Sequence, residues 1–258
     1  MPKYAGPDLA PMEPSGTPRY WIAAWAGIGL LGMMVAAFAL DLGIVASTGA
    51  EPVLRSDQVG PDLLRASGSP LWPLEGWVYT LMVAPACVFT AGLYLYFRDE
   101  VADELALSGL VAAFMFWVVH TMHNAVLLAV LALAPTYAAA GANASVIEGV
   151  ARGLIAFSDV LFRPGGGVGT LLLAVAGLAF GKVMLDSGRL PRWVGLAAVG
   201  AALLGLLGLL QYVFPPFVAF GLIGWVLFIA WVGGASVAML RGPAAEAAVA
   251  TGGAADAA

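Results

Sequence analysis

The sequence predicts an all-α, polytopic transmembrane helix bundle, and three observations carry that expectation. Of its 258 residues 61% are hydrophobic and only 10% charged, against about 45–50% and about 25% in soluble domains. Six apolar runs reach the roughly 20 residues that cross a hydrocarbon core about 30 Å thick. Trp21, Trp72, Trp77, Trp193 and the Tyr94/Tyr96 pair lie near the ends of those runs, where amphipathic rings favour the membrane interface.

The first run, Trp21–Ala46, is longer than the roughly 7–15 apolar residues of a signal peptide. The segment before it carries acids as well as Lys3 and Arg19, so the run reads as an uncleaved first span. The other five spans fall at about 74–97, 105–134, 168–185, 193–213 and 217–240. Pro85, inside the second, removes a backbone donor and is expected to kink it. Small residues one turn apart (Gly177/Gly181, Ala197/Ala201/Gly205, Ala230/Gly234) let helices approach closely in lipid. Residues 1–20 and 242–258 are rich in Pro, Gly and Ala with little apolar patterning, and read as disordered cytoplasmic tails flanking a bundle over 21–241.

Basic residues set the orientation. With the N-terminus inside, Lys3, Arg19, Arg98, Lys182, Arg189, Arg192 and Arg241 are cytoplasmic, and Arg55, Arg65, Arg152 and Arg163 are external. Seven against four favours N-in, C-in. The stretch ASVIEGVARGLIAFSDVLFR (144–163) puts Ser145, Glu148, Arg152, Asp159 and Arg163 on one side of a helix, opposite Val146, Val150, Leu154, Phe157 and Leu161. It reads first as an interfacial amphipathic helix over 144–162. A seventh span, or an outer extension of the fourth, are the alternatives.

Two stretches, DSGRLPRWVGLAAVGAALLGLLGLL (186–210) and GWVLFIAWVGGASVAMLR (224–241), resemble an uncharacterised family of small bacterial six-span integral membrane proteins, a domain of unknown function. The resemblance covers residues 165–241. It implies a six-span fold in a bacterial cytoplasmic (inner) membrane and brings no functional residues with it.

The chemistry concentrates in FWVVHTMHN (116–124), which holds both histidines of the chain. His120, His123 and Asn124 sit at i, i+3 and i+4 and share one helix face, near the middle of the third span and so near the expected midplane. Ionisable groups inside a membrane usually face the bundle interior, and neutral imidazole can bind metal or relay protons. Three uses follow: transport or ligand binding at a midplane polar site, metal binding by His120 and His123, or packing. Asp41, Glu75 and Asp159 are the carboxylates that could join a metal site. Asp41, Glu75, Asp159 and Arg152 could also line a polar vestibule leading to the histidines. Two histidines one turn apart cannot both ligate one haem, which leaves a His–Met pair through Met82 or Met33.

Arg163, Gly165, Gly166 and Gly167 in RPGGGVGT form a second candidate, a cradle for a phosphate or lipid headgroup. The stretch lacks the Lys-Ser/Thr ending of a P-loop. With a single cysteine, Cys87, an internal disulfide and a Cys-based zinc site are excluded. No catalytic motif is present, no basic run suggests nucleic acid, and no cofactor is clearly implied. The sequence thus leaves three functions open: transport or ligand binding, an accessory or structural subunit beside partner membrane subunits or further copies of the chain, and a metal- or haem-binding redox protein.

Overall fold

A computed structural model describes residues 20–49, 58–98, 103–162 and 167–241, and all regular structure among them is helical. Six segments are long and apolar enough to cross a bilayer: Trp21–Thr48, Leu71–Phe97, Glu104–Ala139, Gly167–Ser187, Arg192–Gln211 and Pro215–Arg241. The chain is a multi-pass membrane helix bundle, as its composition predicts. Helix is what hydrocarbon demands, because no water is there to pair a backbone N–H or C=O left open.

Helix α1 (Trp21–Thr48) stops at Gly49, whose φ of 68° is left-handed and whose N–H bonds the Val45 carbonyl. A short amphipathic helix, α2 (Val59–Ser67), follows in the first loop, an element that span counting does not reveal. The second span is two helices, α3 (Leu71–Leu81) and α4 (Val83–Phe97), interrupted at Met82. Pro85 explains the break, since it has no N–H for the Leu81 carbonyl. Pro135 does the same to the third span, dividing α5 (Asp103–Ala132) from α6 (Ala134–Ala139) at Leu133. Then come α7 (Ala144–Leu161), α8 (Gly167–Ser187), α9 (Arg192–Gly208) and α10 (Val218–Arg241). The fifth span ends in a 3-10 turn over Leu209–Tyr212, so its α-helix is shorter than its apolar run. Of the proposed tails, residues 1–19 and 242–258 lie outside the described residues.

One end of the bundle is level. Tyr20 Oη donates to the Leu95 carbonyl, and the Tyr20 and Tyr96 rings meet edge to face at 5.0 Å. Arg189, in the α8–α9 turn, donates to the Tyr96 carbonyl and lays its guanidinium 5.2 Å over the Tyr96 ring. Starting from this basic end the helices have unequal reach. At 1.5 Å per residue, the 21 residues of α8 rise about 31 Å and the 28 of α1 about 42 Å. Hence α1, α3, α5 and α7 extend past the far ends of α8 and α9.

In that extension α7 follows α5 lengthwise. Ser158 of α7 bonds His123 of α5, and Phe162, just past α7, meets Phe116 one and a half to two turns further along α5. Next, α8 continues beside the nearer half of α5, where Gly109 lies against Ala179 and Phe180. Helix α7 therefore packs along α5 and brings Phe162 to the level where α8 begins. The reason is visible in its buried residues, Ala151, Ile155 and Ser158. They fall beside the charged stripe and pack on α5, while Val146 and Val150 of the apolar stripe are more than half exposed and face outward as a lipid-facing surface would.

Two apolar clusters result. The larger fills the common slab of helices and includes Ala37, Met82, Phe116, Trp117, Phe162 and Trp231. The smaller lies in the extension and holds Ile44 of α1, Val59 and Leu63 of α2, Trp72 of α3, Val130 of α5 and Ile155 of α7. Within the larger, glycines set the approach. A Cβ on Gly181 would lie 2.7 Å from a Val199 methyl carbon and 3.0 Å from the Gly195 carbonyl oxygen, and one on Gly92 would collide with Ala23. Gly29 has open space. Gly181→Leu should therefore lower the unfolding free energy by about 1–3 kcal/mol, with Gly29→Ala unchanged or slightly more stable, as read by thermal unfolding in mild detergent.

Candidate functional site

The junction between the two clusters is polar on all four helices that extend through it. On α1, Asp41 separates Ala37 of the larger cluster from Ile44 of the smaller. On α3, Glu75 and Tyr79 lie between Trp72 and Met82. On α5, His120, His123 and Asn124 lie between Trp117 and Val130, and on α7 Ser158 lies between Ile155 and Phe162. Seven polar side chains thus form one layer across the bundle.

Parts of this layer are satisfied within the protein. The Ser158 hydroxyl is 2.7 Å from His123 Nδ1 and is fully buried. His123 Nδ1 also lies 3.2 Å from the Ser158 carbonyl oxygen. Donation from Nδ1–H to that carbonyl or acceptance from the hydroxyl are the two tautomeric options. Asn124 Nδ2 donates to the His120 carbonyl at 2.9 Å, one turn back in its own helix. Tyr79 Oη donates to Asp41 Oδ2 at 3.4 Å, and the Glu75 carboxyl interacts directly with that of Asp41.

Other parts have no partner. His120 is 5% exposed and boxed by rings: Phe162 at 5.1 Å, Trp117 at 5.6 Å, Phe116 at 6.0 Å and Tyr79 at 6.2 Å between centroids. The imidazole lies close to the Tyr79 backbone, a weak polar contact short of full hydrogen-bond geometry, and neither ring nitrogen has a better partner among the described residues. Asp41 Oδ1 and Trp72 Nε1 are likewise buried and unpaired, so four of the five such atoms among the described residues lie in or beside this layer. Most buried polar groups are paired, and an orphan calls for an explanation.

His120 is 17 residues past Asp103 on α5, about 26 Å from that end, and its neighbour Phe162 lies near the far ends of α8 and α9 and against Trp225 of α10. Phe162, Thr170, Gly205, Gly221 and Trp225 line a cleft of about 30 Å³ there.

Of the sequence candidates, His120, His123, Asn124, Asp41 and Glu75 belong to this layer. Asp159 is half-buried on α7 beside Ser158. Arg152 is exposed and pairs with Glu148 at 2.8 Å, one and a half turns or more from the layer. Among the described residues no third His, Cys, Asp or Glu joins the two histidines, and His123 Nδ1 is already engaged. A haem does not fit against His120 either, since four rings occupy the space a macrocycle would need. Arg163, Gly165 and Gly166 lie outside the described residues. Gly167 has φ 76°, and a Cβ there would lie 2.9 Å from the Val160 carbonyl oxygen, so its place is that of a glycine turn into α8. Sequence reasoning missed Tyr79, Ser158 and Phe162. Tyr79 was within reach, one turn beyond Glu75 on the same face, whereas Ser158 and Phe162 become significant only once α7 is laid along α5.

The His123–Ser158 contact is the layer's one direct bond between α5 and α7 side chains shown here. A double-mutant cycle with His123→Ala and Ser158→Ala should give a coupling of about 0.6–1.7 kcal/mol in unfolding free energy.

No family model, curated protein or solved structure matches this chain, and the function of the layer is read from its own geometry.

Proposed function

We propose that this chain binds a small ligand in the polar layer, as a multi-pass protein of a bacterial cytoplasmic membrane with both termini on the cytoplasmic side. The observation that carries this reading is His120: buried, ringed by aromatic side chains, and partnerless at both nitrogens. Leaving a buried polar group unpaired costs about 1–3 kcal/mol. Whatever satisfies the imidazole, Asp41 Oδ1 and Trp72 Nε1 comes from outside the described residues, and water, an ion or a small molecule would serve.

Between the two uses the sequence groups together, the layer favours binding over conduction. Towards the basic end the larger apolar cluster closes the interior, and the buried hydroxyls near it turn inward on their own helices: Thr90 to the Ala86 carbonyl and Ser236 to the Val232 carbonyl. No chain of polar groups continues from His120 in that direction among the described residues. On the opposite side only the smaller cluster, with α2 across it, separates the layer from the end of the bundle. An accessory or structural subunit has no need of unpaired polar atoms in its core, and that reading stands second.

His120→Leu tests the proposal, because leucine is close to imidazole in volume and removes both orphan nitrogens. The variant should unfold at the same temperature as wild type or higher. Stabilisation and tryptophan-fluorescence changes produced by members of a panel of ions and polar metabolites should be lost. If His120 only fixes packing, the variant loses stability and the panel affects both proteins alike.

A further inference from the structure

The composition of the layer narrows its ligand. On α3, Trp72, Glu75 and Tyr79 occupy positions i, i+3 and i+7 and share one face. Trp72 is 2% exposed and Glu75 9%, so this face is turned into the bundle. Opposite stands Asp41 of α1, whose Oδ2 receives the Tyr79 hydroxyl and whose Oδ1 is buried without a donor. Among the described residues neither carboxyl is in a salt bridge, and the described basic side chains of α2 and α7 are committed elsewhere: Arg65 to Asp62 and Arg152 to Glu148.

Ionised carboxylates only accept hydrogen bonds, and two of them held together in a low-dielectric setting repel unless a proton or another positive charge lies between or beside them. Among the described residues no basic side chain is placed there. What the chain does supply is oxygen ligands from two carboxyls and a phenol, the donor set of a hard cation, and two aromatic rings, whose faces attract cations. Bordering Tyr79 is the second, independent sign of a ligand, the partnerless His120. A neutral imidazole nitrogen can accept a hydrogen bond from an ammonium or contact a metal ion.

We propose that the Asp41–Glu75 pair, with Tyr79 and Trp72, binds a small monovalent cation, an alkali-metal ion or a small alkylammonium. The inference rests on the ligand-binding reading and names the ligand's class. A bulky organic cation is excluded, because α1 and α3 pack directly against one another at this level, Gly43 lying 3.5 Å (as a built Cβ) from a Leu71 methyl carbon.

The test is thermal unfolding of the full chain in a zwitterionic detergent, at one pH and one ionic strength. The chloride salt is sodium, potassium, tetramethylammonium or N-methylglucamine. At least one of the first three should raise the unfolding temperature saturably over N-methylglucamine, by about 5 °C at a hundredfold excess over Kd. Stabilisation by sodium or potassium identifies an alkali-ion site, and stabilisation by tetramethylammonium alone identifies an ammonium site. The rise should vanish in Glu75→Gln and in Asp41→Asn; should one variant fail to fold, the other and the wild-type salt series still decide. Equal unfolding temperatures in all four salts would mean that a proton shared by the carboxyls is sufficient, and the proposal falls. It falls equally if the salt effect survives both substitutions. Salt-independence combined with a stable, unresponsive His120→Leu overturns the cation and leaves ligand binding in place, whereas a destabilised His120→Leu removes the broader reading.

Discussion

A polar layer inserted between two apolar clusters is the constraint around which this bundle is organised. In lipid, helices gain nothing from hiding hydrocarbon from hydrocarbon, so they are held by close packing and by polar contacts between helices. The larger cluster uses the first device. Gly92 against Ala23 and Gly181 against Gly195 bring backbones together until no side chain fits between them. The layer uses the second, and only in part: Ser158 secures α7 to α5 through His123, while Asp41, Trp72 and His120 keep unpaired atoms.

The stagger of the helices explains why the layer sits where it does. Tyr20, Tyr96 and Arg189 align one end, and the short helices α8 and α9 finish about one bilayer thickness away. Beyond them, α1, α3, α5 and α7 continue and need a core of their own, which α2 and Trp72 help complete. Polar residues at the level where the two cores meet cost less than they would deeper in the slab, because water and headgroups are closer. A ligand site at that level can be reached through the thinner cluster without opening the larger one.

Much of this architecture is legible in the sequence, for reasons that differ by element. Span number follows from run length, and the two helix breaks follow from Pro85 and Pro135, because both signals are local. The shared face of His120, His123 and Asn124 is also local, as it needs only the helical repeat. Depth is not local. Placing the histidines relative to the neighbouring helices requires knowing how far α5 reaches past α8 and α9, which hydropathy does not say. The amphipathic stretch at 144–162 has a charged stripe that suggests an interfacial helix. Its packing on α5 is decided by Ala151, Ile155 and Ser158, three small or medium side chains whose importance depends on the partner surface. The meeting of Asp41 with Glu75 and Tyr79 is tertiary and has no sequence spacing to announce it.

The central claim is that the layer communicates with the end of the bundle opposite the basic residues and with no other. Site-directed modification tests it most directly, using Glu75→Cys in a Cys87→Ala background, reconstituted in sealed vesicles of known orientation. A membrane-impermeant maleimide should label position 75 when applied from the side opposite Arg189, Arg192 and Arg241, and should leave it unmodified from theirs. Labelling from the basic side, or equally from both, would contradict a one-sided binding site and point to a pathway through the larger cluster.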